Sequence, residues 1–317
     1  MKIGLYEDWM KPQVSKLFSK QYHITEDEFS LLIDNFYDHA FQQQKCIRIV
    51  ALEGEKVIGF QSFFYWPYEI NGKTFNSFQS GNSLVHEDYR GKGIFQKLLQ
   101  YIDEHRESLK IDFLIGFPID ASVGSLVRNK WTNLFNLKWY IKVMNPISLF
   151  FPTNKKKLQH YFPKSTSIIS NNEHLIKLKH SPEFNTWRDT HYDKSNYYSF
   201  TFQLNENSII LHLKLNLRKR IIKELIIGDI QTTTYETSFL DLAFSEFIKT
   251  IKKVNAITII SIAFNEECNY KLNDILLKHK FKKIDKKIYF CIKSFIQNET
   301  ITQPGNWIVY RGDIDTW

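Results

Sequence analysis

A twelve-residue stretch, Leu84 to Phe95, combines residue types and spacing suited to binding an anion. It reads Leu-Val-His-Glu-Asp-Tyr-Arg-Gly-Lys-Gly-Ile-Phe, so an apolar strand end leads into a polar turn and a lysine between two glycines. Glycine lets the backbone approach a ligand closely, and the first turn of the following helix leaves N–H groups unpaired at its positive end. A pyrophosphate suits such a site, although the glycine spacing is not that of Walker or dinucleotide loops.

The same stretch resembles a known cofactor loop. Val85 at the strand end and the run Arg90-Gly91-Lys92-Gly93-Ile94 resemble the acyl-CoA pyrophosphate loop of the GNAT superfamily of N-acyltransferases, whose pattern is Arg/Gln-x-x-Gly-x-Gly/Ala. Phe95 departs from the small residue usual at the last position. The resemblance implies that acetyl-CoA is the co-substrate and that it is bound by Leu84, Val85, Arg90, Gly91, Lys92, Gly93, Ile94 and Phe95.

The elements that must position this loop repeat along the chain. Apolar patterns predict two strands, a hairpin at Asn71-Gly72, a third strand, the loop, a helix, a strand, a helix and a closing strand. Residues 197–292 predict the same order, but Gln231 to Thr237 stands in place of the loop and contains no glycine. With the resemblance, this implies an α/β fold of two tandem GNAT-like domains, each a mixed central sheet flanked by helices, the second copy degenerate. We expect the domains at 1–148 and 186–317, with a linker at 149–185.

The resemblance also implies the chemistry. In that superfamily an amine attacks the thioester directly, and a backbone N–H before the loop polarises the carbonyl. A tyrosine often protonates the leaving thiolate, but here Leu126 or Val127 stands at its place. Asp120, after the fourth strand, is the candidate base, with a helix N-cap as its alternative role. Asn82 is a candidate for orienting water or substrate.

The last residues have an unusual composition. Frayed termini are generally polar, whereas Arg311 to Trp317 ends in aromatic and acidic residues. We expect Asn306 to Trp317 to fold back onto the protein. Asp313 and Asp315 are then candidates for binding the cationic amine of the acceptor.

Composition limits the remaining function classes. The formal net charge is +8, and residues 1–150 contain equal numbers of basic and acidic side chains, so the surplus lies in the second half. The three cysteines form no Cys-x-x-Cys pair, which argues against a disulfide framework or a zinc site and favours a cytoplasmic setting. The longest apolar run, Ala256 to Phe264, is too short to span a bilayer. No RNA-recognition motif is evident, so we expect neither a metal nor a nucleic-acid partner.

The sequence thus predicts an acetyl-CoA-dependent N-acetyltransferase acting on a small-molecule amine. An amino sugar or a nucleotide-linked amino sugar is the leading acceptor. Two alternatives stay open: an aminoacyl or peptidyl transferase of the cell-wall type, and a non-catalytic acyl-CoA-binding regulatory protein. The sequence does not fix the oligomeric state or the acyl chain length.

Overall fold

The computed structural model describes residues 1–150, 152–153, 155–165, 174–191 and 196–315 of the 317 residues. This part of the chain contains eight α-helices: α1 (Lys11–Tyr22), α2 (Glu26–Phe36), α3 (Ile94–His105), α4 (Asp120–Arg128), α5 (Lys155–Tyr161), α6 (Pro182–His191), α7 (Thr237–Val254) and α8 (Tyr270–Lys278). It also contains fourteen strands: β1 (Lys2–Leu5), β2 (Ile47–Glu53), β3 (Lys56–Tyr65), β4 (Tyr68–Ile70), β5 (Lys73–Thr74), β6 (Ser77–Val85), β7 (Phe113–Gly116), β8 (Thr132–Val143), β9 (Lys177–Leu178), β10 (Tyr197–Leu204), β11 (Asn207–Arg218), β12 (Ile222–Thr232), β13 (Ile259–Phe264) and β14 (Lys282–Ser294).

Eleven strands form one mixed sheet in the order β1-β2-β3-β6-β7-β14-β8-β13-β12-β11-β10. Two pairs in it are parallel, β6 with β7 and β12 with β13. The order has an approximate two-fold repeat, in which β2-β3-β6-β7-β14 corresponds to β10-β11-β12-β13-β8. The predicted α/β class with a mixed central sheet is therefore confirmed.

The two halves of the chain exchange their last strands. Strand β8 follows α4 in the first half but pairs with β13 of the second, and β14 pairs with β7 of the first. The two exchanged strands also pair with each other, so the sheet is continuous through the middle of the molecule. Helix α6 spans the expected boundary at residue 186. The boundaries at 148 and 186 stay predictions.

Helices cover both faces of the first half of the sheet. One face packs its apolar side chains against α1, α2 and α6, and the other packs against α3 and α4. In the second half, α5, α7 and α8 cover a single face. Neighbouring residues of a strand point to opposite faces, so β7 contributes Phe113 and Ile115 to one core and Leu114 to the other.

Local sequence explains several element ends. Thr25 caps α2 because its hydroxyl accepts from the Glu28 N–H at 3.1 Å while the Glu28 carboxylate accepts from the Thr25 N–H at 2.7 Å. The predicted turn at Asn71-Gly72 is present between β4 and β5, with positive φ at both residues as a tight hairpin requires. The fold thus positions the glycine loop between β6 and α3.

Candidate active site

The loop that the sequence predicts as an anion site connects β6 to α3. Gly91 has φ +76° and Gly93 has φ +72°, so both adopt the left-handed conformation that side chains disfavour. Gly93 is the N-cap residue of α3, and the buried Ile94 begins the helix. The first-turn N–H groups of α3 are therefore at the loop, with the positive end of the helix dipole behind them. Phe95 is half-buried against the same core as Ile94, so the bulkier residue is accommodated.

Arg90 connects this loop to the rest of the protein through two hydrogen bonds. Its Nε donates to the carbonyl oxygen of Val85 at 3.1 Å, and its Nη2 donates to the side chain of Gln21 on α1 at 2.6 Å. Lys92 is exposed, with its ammonium 4.8 Å from the ring centroid of Tyr89. Arg90 thus orders the loop, and Lys92 is an exposed cation beside it.

Strands β6 and β7 part immediately before the loop. They pair in parallel only as far as Ser80 and Gly116, and β6 continues through Leu84 and Val85 along β3 alone. The opposite edge of this last part of β6 has no strand partner among the described residues, so its peptide groups face the gap between the strands. A cleft at the carboxyl ends of parallel strands is the usual ligand site of an open α/β sheet.

A bulge in β6 distorts the strand beside this cleft. The register against β3 shifts between Phe60 and Ser62, and Asn82 has φ +47°. A side chain on the preceding Gly81 would meet the ring of Phe64 at 2.5 Å, so only glycine fits there. The bulge thus lies on β6 where its pairing with β7 ends.

Asn82 begins a chain of hydrogen bonds that ends on this bulge. Its side-chain amide donates to the Tyr37 hydroxyl, which lies 2.8 Å from the Ser62 hydroxyl, and Ser62 donates to the carbonyl oxygen of Gly81 at 2.7 Å. Burial raises the pKa of Tyr37, so its phenol stays neutral. Sequence reasoning did not find Tyr37, which lies 45 residues before Asn82 and has no motif around it.

Asp120 lies at the other wall of the cleft. It is exposed and is the first residue of α4, whose N-cap is Ile119, so it does not cap the helix. Its carboxylate interacts with the hydroxyl of Tyr289 on the exchanged strand β14 and raises the pKa of that phenol. No local sequence pattern indicates Tyr289, because strand exchange brings it to this place.

The two tail aspartates have different surroundings. Asp313 is only 3% exposed, its carboxylate accepts from the Tyr310 N–H at 2.8 Å, and its carbonyl oxygen accepts from Nε1 of Trp66 at 2.9 Å. Burial and, secondarily, the nearby Asp229 hold the pKa of Asp313 well above its usual range. Asp315 instead has its Oδ2 3.6 Å from the position of a β-carbon on Gly81. Asp313 is thus engaged within the tail, and Asp315 lies beside the bulge of β6.

The tail occupies the equivalent cleft of the second half. Strands β12 and β13 pair only as far as Ile227 and Ile262, and the turn Arg311–Asp313 packs against both. A β-carbon on Gly312 would stand 2.4 Å from the carbonyl oxygen of Gly228, so the two backbones are in direct contact. The last two residues of the tail, 316 and 317, lie outside the described residues.

The turn that replaces the glycine loop in the second half is closed by threonine side chains. The Thr232 hydroxyl donates to the carbonyl oxygen of Thr234 at 2.8 Å, and the Thr234 hydroxyl accepts from the Glu236 N–H at 3.1 Å. Within the described ranges, no three His, Cys, Asp or Glu side chains are grouped as a metal site requires, and no helix has the length and apolarity to cross a membrane.

Comparisons with known proteins agree with this geometry. Residues 7–125 match the model of an acetyltransferase (GNAT) domain. The chain is similar in structure to a GCN5-related N-acetyltransferase from Anabaena variabilis, with 12% identity, a TM-score of 0.63, and coverage of 94% of this chain and 74% of that one. An Enterococcus faecalis protein of unknown function, described as a probable N-acyltransferase, gives 10% identity, a TM-score of 0.61 and coverage of 92% and 72%.

A GCN5-related N-acetyltransferase from Kribbella flavida gives 7% identity and a TM-score of 0.57, with coverage of 92% of this chain and 71% of that one. No curated protein matches the chain. At such identities the solved structures show a shared fold, and the matched model shows which segment carries the family's domain. Residues 7–125 are therefore similar to a GNAT acetyltransferase domain, and solved GCN5-related N-acetyltransferases share the fold along most of this chain.

Proposed function

We propose that this protein transfers an acetyl group from acetyl-CoA to the amine of a small acceptor. The observation that carries the proposal is the loop Arg90 to Gly93, whose two left-handed glycines lead into α3 beside the gap between β6 and β7. A helix N-terminus with close backbone access suits a pyrophosphate, and the adjoining gap suits an extended thioester arm. The match of residues 7–125 to an acetyltransferase domain supports the same assignment.

The residues present fit the co-substrate. The N–H groups at the start of α3 and the Lys92 ammonium would hold the pyrophosphate, and Arg90 would keep the loop ordered. Acetyl-CoA supplies an activated thioester whose carbonyl needs a hydrogen-bond donor. A backbone N–H near Leu84 or Val85, on the edge of β6 that has no strand partner among the described residues, would donate to it.

Two carboxylates lie near the cleft. We propose that Asp315, beside Gly81, binds the cationic amine and that Asp120 receives a proton, directly or through water. Asn82 fixes the bulge through Tyr37 and orients the acceptor side of the cleft. Tyr289, next to Asp120, is a proton donor for the leaving thiolate in place of the tyrosine that α4 lacks.

The acceptor proposed is an amino sugar or a nucleotide-linked amino sugar. The basic second half suits the phosphates of the nucleotide-linked form. We propose a cytoplasmic setting, which the three free cysteines support. The basic second half also supports the alternative of a cell-wall transferase. The absence of a tyrosine from α4 supports the alternative of a regulatory protein.

The test is amine-dependent release of CoA thiol from acetyl-CoA with a panel of amino sugars, polyamines and amino acids. We expect turnover with an amino sugar, and Asp315→Asn should lower kcat/KM by about tenfold or more, since a bond to a charged group contributes about 1.5–3 kcal/mol. Asp285→Asn, a fully exposed carboxylate on β14, is the matched control and should leave kcat/KM unchanged. Binding of acetyl-CoA without release by any amine would reject the enzyme and favour the regulatory alternative.

A further inference from the structure

The second half of the sheet has one apolar face and one polar, basic face. Along β11, Leu211, Leu213 and Leu215 are buried against α5, α7 and α8, and the alternating residues His212 and Lys214 point to the other face and are partly exposed. In the first half, both sheet faces pack against helices. On this face, Lys214 is near Arg188 of α6 as well as Arg311 of the tail.

Two cationic side chains lie against Trp139 of β8, and a third cation is near one of them. The Arg311 guanidinium lies 4.5 Å from the Trp139 ring centroid, and the Lys286 ammonium lies 3.7 Å from it. Trp139 is 2% exposed, and its Nε1 has no hydrogen-bond partner among the described residues. Lys214 is close enough to Arg311 for their charges to interact.

These cations destabilise one another. Burial and then the Arg311 charge lower the pKa of Lys214 to about 8, and burial and Arg311 likewise lower the pKa of Lys286. The Glu224 carboxylate offsets part of the charge of Lys286 and Arg311. It also accepts from the Ser261 hydroxyl at 2.6 Å and lies 3.6 Å from Arg218, so several cations share one carboxylate. A bound anion would stabilise the positive charge that remains.

The cluster is close to the candidate active site. Arg311 and Asp315 are four residues apart, so their Cα atoms lie within about 14 Å even if the chain is fully extended. Asp315 adjoins Gly81 at the bulge of β6. One small molecule can therefore place an amine at the bulge and an anionic group at the cluster.

We propose that Lys286 and Arg311, which lie against Trp139, form with the neighbouring Lys214 an anion site that binds a phosphate group of the acceptor. This proposal rests on the proposed function, because it takes the acceptor to be an amine. It restricts the acceptor to an amine that carries a phosphate group, such as an amino sugar phosphate or a nucleotide-linked amino sugar. Binding of a phosphate at the cluster is a separate property that does not require turnover.

The first test uses inorganic phosphate, titrated calorimetrically into the full-length protein saturated with CoA, whose own phosphates then occupy the loop. Wild type should bind phosphate, and Lys286→Gln should weaken binding by about tenfold. Lys287→Gln is the matched control, because it removes the same charge from the next residue of β14. The Lys287 ammonium lies 4.0 Å from the carboxylate of Asp285 and is not part of the cluster. Absence of binding to wild type, or an equal loss in both variants, would overturn the site.

The second test compares glucosamine 6-phosphate with glucosamine as acceptors in the thiol-release assay. Lys286→Gln should lower kcat/KM for the phosphorylated amine by about tenfold and leave the unphosphorylated amine unchanged. An equal effect on both amines would contradict a phosphate site. If phosphate binds as expected but neither amine is acetylated, the anion site stands and the assignment of the acceptor fails.

Discussion

At the scale of single residues, the bulge of β6 is fixed by a chain of hydrogen bonds with one direction. Each group from Asn82 through Tyr37 to Ser62 donates to the next, and the last acceptor is the carbonyl oxygen of Gly81. Because burial raises the pKa of Tyr37, the chain keeps its donors across the neutral pH range. The same bulge adjoins Asp315, so its rigidity bears directly on where an acceptor amine can lie.

Tyr289 and Asp120 give a prediction with a pH signature. Tyr289→Phe should lower kcat by about tenfold, because it removes the proton donor. The loss should be no larger, because CoA thiolate is a tolerable leaving group even without a proton. Asp120 raises the pKa of Tyr289, so Asp120→Asn should return that pKa toward its ordinary value. The alkaline limb of the kcat profile should then move to lower pH.

The control for this pair is Tyr270→Phe on α8, where the side chain is 66% exposed and far along the chain from the cleft. Its kcat should equal that of wild type. Two results for Asp120→Asn would contradict a role for Tyr289: an alkaline limb of the kcat profile that moves to higher pH, or one that does not move although kcat falls. Asp120 would then act in the mechanism without Tyr289.

At the scale of elements, the tail is an insertion into the cleft of the second half. Gly312→Ala should displace the turn, because the added β-carbon would stand 2.4 Å from the carbonyl oxygen of Gly228. Overpacking of this kind costs about 1–3 kcal/mol of unfolding free energy. Since Asp315 follows three residues later, the acceptor KM should rise, whereas the Kd for acetyl-CoA should not change.

Gly305→Ala tests whether this effect is specific to the insertion. Gly305 lies in the same terminal segment, but its β-carbon would have its nearest contact at 3.7 Å, with the carbonyl oxygen of Glu267. That variant should keep both the melting temperature and the acceptor KM. A Gly312→Ala protein with unchanged kinetics and an unchanged melt would show that the insertion does not position Asp315.

Local elements were predictable because their signals are contiguous. The glycine loop and the amphipathic start of α3 lie within a dozen residues, and the structure has the strand, loop and helix in that order. Tyr37 and Tyr289 could not be predicted, since no local pattern connects them with Asn82 or Asp120. Strand order decides those contacts, and an alternating strand such as β8 would fit beside either β7 or β13.

At the scale of the whole molecule, strand exchange joins the two halves. Each half contributes a strand to the middle of the other's sheet, so neither half contains all the strands beside its own cleft. The halves have also diverged. The first keeps a glycine loop and an open gap between parallel strands, while the second fills its gap with the tail.

The two halves of the chain also differ in net charge. The predicted basic surplus of the second half includes the cations that gather around Trp139. The cofactor loop lies in the half where basic and acidic side chains balance. We infer that the first half recognises the donor and that the second half, through its polar face and its tail, recognises the acceptor.

Thermal stabilisation by acetyl-CoA tests the assignment of the loop most directly. At a ligand concentration about 100 times Kd, binding to the folded state should add about 2.7 kcal/mol and raise the melting temperature of wild type. Gly91→Val should abolish this rise, because a β-branched residue strains a backbone with φ +76°. Gly72→Val carries the same strain at φ +74° in the β4–β5 turn, and like Gly91 its β-carbon would meet nothing within 4 Å. The account predicts a full rise for wild type and Gly72→Val and none for Gly91→Val; a full rise in Gly91→Val would contradict it.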